Sequence, residues 1–339
     1  MVLVSIIITS YNRGEYIEQA VCSALAQDYP NLEIIISDNC STDNTDEILK
    51  KYLKDDRIKF FKNDTNIGMM GNFKLATQRA RGNFITYISS DDYLMNNSFV
   101  SQAVSIINKY ENILLVVAKN MTLQQESRTL IDDDTHQLYI DEFKDGREVF
   151  MEFANTRTLG WGSALMNKQE FDELNVFSSL ETSLDYKANL LLMLKGNVGF
   201  IKQPSYVFRV HKSQTSTPPD ANRIIENCEY IFPPYNYAQQ LGFFPERKLE
   251  VWKNKLLALE ARYATYRFSQ ENKKEYKKLV NFFRSTHPKA YKILQRDLKW
   301  RLTMFFLRNP GPVLRLLKIV NKKSYRSLKN LTFNSGNSA

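Results

Sequence analysis

Residues 85–94, ITYISSDDYL, carry an apolar run into two serines and then two adjacent aspartates, Asp91 and Asp92. Like charges side by side at the end of an apolar strand need an opposite charge to offset them, either a protein cation or a metal ion. Two further polar clusters follow apolar runs: Thr9-Ser10-Tyr11-Asn12-Arg13, and Asp38-Asn39. Aspartate, asparagine and serine are also ordinary turn and capping residues, so no single cluster is informative. Three of them at the ends of strands of one sheet carry more weight, because ligands of parallel sheets bind beyond the C-terminal strand ends. Later in the chain Asp185 falls in the first turn of an expected helix, SLDYKANLLLMLKG, which Gly196 stops. Arg209, His211 and Lys212 end the run YVFRVHK.

The elements that must position these groups alternate in type. VLVSIIIT (2–9), LEIIISD (32–38), RIKFFK, NFITYIS and ILLVVA (113–118) read as strands. Helical patterns fall between them at 14–26, near 43–54, and at about 69–80 and 97–109. This succession predicts an α/β fold, a mostly parallel sheet with helices on both faces. From about 120 to 180 the pattern blurs, with Gly160, Trp161 and Gly162 ahead of a short strand and helix. VGFIKQPSYVFRVHKSQTS reads as a hairpin. Residues 223–320 read as wholly helical, with breaks at 232–234, at His287-Pro288 and at Asn309-Pro310-Gly311-Pro312.

With 339 residues, 43% apolar and 24% charged, the chain has the composition of a globular protein of one large or two modest domains. Cys22, Cys40 and Cys228 have neither an even count nor metal-ligand spacing, which points to free thiols in a reducing compartment. The start MVLVSIIITSYN has no basic leader or cleavage site, and no apolar run approaches a membrane span. The expected location is therefore cytoplasmic. The net charge of +9 is uneven: residues 246–331 hold 23 Lys and Arg against 6 Asp and Glu, a net +17, and the rest of the chain carries −8. An acidic-leaning body with a basic tail suggests chemistry in front and an anionic surface behind.

The segments VSIIITSYNRGEYIEQAVCSALAQDYPNLEIIISDNCSTDNT and NIGMMGNFKLATQRARGNFITYISSDD, with LDYKANLLLMLKG and YVFRVHKSQTS, resemble glycosyltransferase family 2. The matching motifs are a strand into P-T-Y-N, S-x-L-x-Q, D-D-G-S-T-D, N-x-G, A-x-G, D-x-D-D, E-D and Y-R-x-H, in the family's order over roughly residues 3–216. The resemblance implies a GT-A fold, Rossmann-like, over residues 1–218, with a nucleotide-binding half at about 1–118 and an acceptor and catalytic half at 119–218. A helical basic region, 219–339, follows. It implies transfer of a sugar from a nucleotide diphosphate with inversion at the anomeric carbon, assisted by Mn²⁺ or Mg²⁺. By the same resemblance Asp38 reads the base, with Thr9 and Tyr11 packed around it. Arg13, Asn66, Arg81, Ser89 and Ser90 complete the nucleotide site. Asp91 ligates the metal, with His211 as a further ligand, and Arg209 and Lys212 close over the phosphates. Asp185 is the general base, and Trp161 and Gly162 stand on the acceptor side.

The chain also departs from the pattern. Ser10 replaces the proline, Asn39-Cys40 replaces D-G, Phe73 stands where an arginine is frequent, and Ser89 replaces the first acid of D-x-D. Ser89 can hydrogen-bond but carries no charge, so the resemblance leaves the metal to Asp91, while the part of Asp92 stays open. Two other classes compete. A nucleotide-binding module without catalysis would bind nucleotide and be indifferent to Asp185. A sugar nucleotidyltransferase would need a glycine-rich basic loop after the first strand, which TSYNRGEY does not supply. Finally, residues 299–331 mix Trp300, Phe305, Phe306, Leu314, Leu317 and other apolar residues with nine cations. Such segments suit the headgroup region of an anionic membrane, and no nucleic-acid recognition motif accompanies them. The expectation is a peripheral enzyme on the inner face of the cytoplasmic membrane, and the resemblance implies a glycan or lipid-linked glycan acceptor, as in bacterial surface-polysaccharide assembly. The oligomeric state is not encoded in these features.

Overall fold

The computed structural model describes residues 1–132, 141–156, 161–178, 183–212, 220–297, 300–302 and 304. The first elements are β1 (Val4–Ser10), α1 (Ile17–Leu25), β2 (Leu32–Asp38), α2 (Thr45–Leu49), β3 (Ile58–Lys62), α3 (Met69–Arg79), β4 (Phe84–Ser89), β5 (Tyr93–Leu94) and α4 (Phe99–Lys109). Then come β6 (Ile113–Gln124), β7 (Thr129–Asp132), β8 (Phe143–Lys144), α5 (Gly146–Thr156), β9 (Ala164–Asn167), α6 (Lys168–Glu173), α7 (Leu184–Lys195) and β10 (Asn197–Val210). They form one mixed sheet in the order β3-β2-β1-β4-β9-β6-β10-β5, with β7 on β6 and β8 on β10.

β1 pairs in parallel with β2 and β4, setting Ser10 opposite Asp38 and Thr9 opposite Ser89. β9 lies antiparallel between β4 and β6, so those two strands point the same way, and β6 is parallel to β10. The C-terminal ends of β1, β2, β3, β4, β6 and β10 therefore open on one edge. The central strands are apolar on both sides because both faces are covered. Ile6, Ile8, Ile34 and Ile36 pack with α1 and α4 through Ile17, Val21, Phe99 and Val100. On the other face Tyr87 meets Phe73 of α3 with ring centroids 5.5 Å apart.

The expected hairpin over VGFIKQPSYVFRVHK is instead the single strand β10, which runs beside β6 for most of its length. Gln203-Pro204 resembles a turn, but Pro204 sits where the register shifts between Ile201 and Tyr206. A proline without an N–H is tolerated at such an irregularity, so the strand bends and continues.

The chain divides into two compact units, Met1–Ser216 with Asn236–Gln240, and Thr217–Tyr235 with Leu241–Ala339. The remaining helices are α8 (Ala221–Asn227), α9 (Phe232–Leu241), α10 (Glu246–Glu271), α11 (Lys273–Thr286) and α12 (Pro288–Arg296). Pro233 and Pro234 do not interrupt a helix; they occupy the first turn of α9, where a missing N–H has no intrahelical partner to lose. The break at His287-Pro288 is present, with Pro288 opening α12 and His287 set among Phe232, Phe282 and Phe283. Asn272 caps α11 by accepting from the Lys274 and Glu275 amides. Arg262 of α10 pairs with Asp297 at 3.2 Å, and the Trp300 indole donates to Thr265 Oγ1 at 2.9 Å. No helix among the described residues is long and apolar enough to cross a membrane. The Asn309–Pro312 break and nearly all of the stretch 299–331 lie outside the described residues.

Candidate active site

Two loops at the sheet edge, after β1 and after β2, are bonded to each other side chain to backbone. The Asn12 amide donates to Ser41 Oγ at 2.8 Å, and the Thr42 amide donates to Asn12 Oδ1 at 2.8 Å. The Gly14 amide donates to Asp43 Oδ2 at 2.9 Å. Burial opposes ionisation of Asp43, but the bonds from Thr45 and from the Gly14 amide outweigh it and hold this carboxyl below its usual range. Asn12 and Cys40 both take left-handed backbone, with φ of 51° and 67°. Asparagine tolerates that region, whereas Cys40 is strained there, at the position that glycine holds in the motif.

Asp38 lies at the centre of this arrangement. It has no exposed surface, and its two carboxylate oxygens accept from the Ser41 amide at 2.8 Å and the Ser41 hydroxyl at 2.5 Å. Asp38, which the resemblance places at the base, therefore fixes Ser41, and through Ser41 the loop carrying Asn12. Thr9, half-buried, and Tyr11, 43% exposed, remain on the open side. Asn66 holds the exposed loop after β3, accepting from Asn39 Nδ2 at 2.7 Å and from the Gly68 amide at 2.9 Å.

The two adjacent aspartates face opposite ways. Asp92 is buried, accepting from the Tyr206 hydroxyl at 2.6 Å and from the Arg209 amide at 2.7 Å. Burial, reinforced by the charge on Asp91, pushes its carboxyl up to about 7 against those two bonds. Asp92 thus braces the turn against β10. Asp91 points the other way, with Oδ2 3.1 Å from His211 Nε2 and 3.4 Å from Arg13 Nε. Ser89, half-buried, accepts the Asp92 amide on its carbonyl at 2.9 Å, and the buried Ser90 donates its amide to Thr9 O at 3.2 Å.

Arg209 was expected to close over phosphates. It is 5% exposed, and its guanidinium donates to Asp91 O at 2.6 Å, Gln125 Oε1 at 2.5 Å and Gln19 Oε1 at 2.5 Å. It also stacks over Tyr16 at 4.9 Å, and the same Tyr16 ring lies 4.9 Å from that of His211. Arg209 therefore ties α1, Gln125 just after β6, β10 and the aspartate turn together. Lys212 is 88% exposed at the side chain and pairs with Glu126 at 3.0 Å.

Among the described residues no group of three or more His, Cys, Asp or Glu is arranged to hold a metal. Two donors are nevertheless suitably placed. Adjacent ligands of an octahedral cation at its usual bond lengths stand about 3 Å apart, and Asp91 Oδ2 and His211 Nε2 are 3.1 Å apart. A mixed oxygen and nitrogen pair suits Mn²⁺, and a cation of this kind takes its other ligands from water and phosphate. The two residues fit a divalent ion.

Asp185 is half-buried in the first turn of α7. Lys195, at the far end of α7, pairs with Glu170 and Glu173 of α6, and α6 begins where the Lys168 amide meets Asn83 O at the foot of β4. A helix of this length spans about 18 Å, so the topology turns Asp185 toward the edge that carries Asp91. Trp161 and Gly162 lie in a short 3₁₀ turn before β9. Gly162 lies flat on the Tyr206 ring: a Cβ there would stand 1.9 Å from Tyr206 Cζ. Arg81 is not brought to the site. It lies a strand's length away, where its amide and Nε reach the buried Glu33 at 2.6 and 3.2 Å, because the A-x-G motif precedes β4 instead of following it.

Tyr16, Gln19, Gln125 and Tyr206 were not recognised from sequence as site residues. Tyr16 and Gln19 fall inside the expected helix 14–26, Gln125 lies past the expected strand 113–118 and Tyr206 lies inside the expected hairpin, so nothing in their positions marked them. The S-x-L-x-Q motif acquires a physical role. Ser23 Oγ accepts the Leu94 amide at 3.0 Å, while Gln27 donates to Asn96 O at 2.9 Å and accepts the Val100 amide at 3.2 Å. Both side chains anchor α1 to the segment that follows the aspartates.

Residues 5–174 match the profile of the family described as Glycosyl transferase family 2. The UDP-Glc:α-D-GlcNAc-diphosphoundecaprenol β-1,3-glucosyltransferase WfaP of Escherichia coli is 44% identical over 102 residues, 30% of this chain and 40% of its own length. The poly(ribitol-phosphate) β-N-acetylglucosaminyltransferase TarS of Staphylococcus aureus is 32% identical over 124 residues, 36% of this chain and 22% of its own. These alignments thus span well under half the length of either relative. The crystal structure of TarS residues 1–349 with UDP-GlcNAc superposes with a TM-score of 0.69 at 17% identity, covering 90% of this chain and 87% of that one. The mannosyltransferase PcManGT of Pyrobaculum calidifontis with GDP-Man and Mn²⁺ gives 0.55 at 14% identity, covering 90% and 84%. At these identities the structures establish a shared fold.

Proposed function

The chain belongs to glycosyl transferase family 2, and on that premise we propose that it moves a sugar from a nucleotide diphosphate to a hydroxyl of a glycan or lipid-linked glycan, with inversion at the anomeric carbon. The observation that carries this reading is the division of labour at Asp91-Asp92, where Asp92 is locked inward and Asp91 is turned out beside His211 and Arg13. Thr9 and Tyr11 line the base, on loops that Asp38 holds through Ser41. Arg13 and Lys212 supply positive charge for the diphosphate. A divalent ion held by Asp91 and His211 would offset charge developing on the departing diphosphate. Asp185 takes the proton of the attacking acceptor hydroxyl, on the face of the sugar opposite the leaving group. The printed activity of WfaP favours an acceptor carried on lipid diphosphate, and the basic tail favours a peripheral site on the inner face of the cytoplasmic membrane.

The test is thermal unfolding with UDP, dTDP, GDP or CDP, each with Mn²⁺ or with EDTA, for the wild type and Asp91→Asn. Ligand at a hundred times its dissociation constant adds about 2.7 kcal/mol, which raises the midpoint by roughly 5–10 °C for a domain of this size. A Mn²⁺-dependent rise with one nucleotide, lost in Asp91→Asn, is expected. No rise with any nucleotide would remove the donor site from this edge.

A further inference from the structure

Arg13 and the proposed metal compete for one atom. Arg13 Nε and His211 Nε2 approach the same oxygen of Asp91, Oδ2, at 3.4 and 3.1 Å. A cation ligated by Asp91 and His211 would bring its positive charge beside the guanidinium. Both ionic side chains are screened from water, with 16% exposure for Arg13 and 17% for Asp91, so that conflict is only partly relieved by solvent. The Arg13 backbone is fixed: its carbonyl accepts the Tyr16 and Ile17 amides at 2.9 Å, and its amide meets Thr45 Oγ1 at 3.4 Å. Its guanidinium meets Asp91 and, through Nη1, the Asn12 carbonyl at 3.0 Å. A change of partner by the side chain would thus leave the loop where it is.

Resting on the family 2 reading above, we propose that Arg13 is an exchangeable counter-ion. It neutralises Asp91 before the donor arrives and passes to the donor's diphosphate when a divalent ion takes its place. Two consequences follow from charge alone. The divalent ion binds weakly to the protein without nucleotide, because it must displace Arg13 with no anion to receive it. Ion and diphosphate then favour each other's binding, since each supplies what the other displaces.

The experiment measures Mn²⁺ binding to the full chain without nucleotide, from the electron paramagnetic resonance signal of free Mn²⁺. Wild type, Arg13→Gln, Arg13→Lys and Asp91→Asn are compared, each checked for an intact thermal transition. Removing the guanidinium charge is expected to tighten Mn²⁺ binding roughly three- to tenfold in Arg13→Gln. Arg13→Lys keeps the cation and is expected to remain within about twofold of wild type by the same reasoning. Mn²⁺ affinity unchanged or weakened in Arg13→Gln, while Asp91→Asn still loses binding, overturns the exchange alone. Asp91→Asn binding Mn²⁺ as well as wild type overturns the metal assignment beneath it.

Discussion

At Asp91 one carboxylate oxygen is shared between His211 and Arg13, whereas at Asp92 both oxygens are met from β10. Spacing placed the pair at a strand end and the resemblance picked Asp91 for the metal, but the inward turn of Asp92 depends on Tyr206 and the Arg209 amide, more than a hundred positions later. For Asp38 the place at the end of β2 was readable, whereas its bonds to Ser41, three residues on, which brace the loop, depend on the turn the backbone takes there. For Asp185 the prediction is kinetic. Asp185→Asn should lower transfer roughly 10²- to 10⁴-fold, as loss of a general base does, while leaving the nucleotide-induced rise in melting temperature intact. Transfer within a few-fold of wild type would assign Asp185 to the helix terminus alone, and loss of the thermal rise would make it a binding residue.

Among the elements, the first βα units were readable because each apolar run is bounded by turn residues and each helix has one apolar face. A short strand at β9 was readable too; what could not be read were its antiparallel place between β4 and β6 and the continuity of β10. The partners of β9 are distant in sequence, and β10 contains a Gln-Pro pair that resembles a turn. The 3₁₀ turn before β9 gains its importance from β10, because Gly162 lies against the Tyr206 ring that holds Asp92. Gly162→Ala should therefore displace Tyr206 and loosen the aspartate turn. A destabilisation of about 1–3 kcal/mol is expected, as for other overpacked sites, read as a lower urea midpoint at unchanged slope. Equal midpoints would mean that the ring moves aside freely and that the turn does not depend on this contact.

Across the whole molecule the charge is partitioned by sequence, with a net +17 in residues 246–331 and −8 elsewhere. If the tail is a membrane device, the full chain should sediment with phosphatidylglycerol vesicles at low salt and not with neutral ones. A chain ending at residue 298 should lose most of that binding, since each basic residue near an anionic surface contributes about 1 kcal/mol. Equal sedimentation of both chains would move the contact elsewhere. The cross-bonded loops after β1 and β2 have a separate consequence, one of time. Asn12, Gly14, Ser41 and Thr42 are tied in a single hydrogen-bonded set, so the floor of the site cannot open one loop at a time. Side-chain rotation is a picosecond-to-nanosecond event, whereas loop motion runs to microseconds. At this floor a donor is therefore expected to be met by rotation of side chains, without movement of either loop.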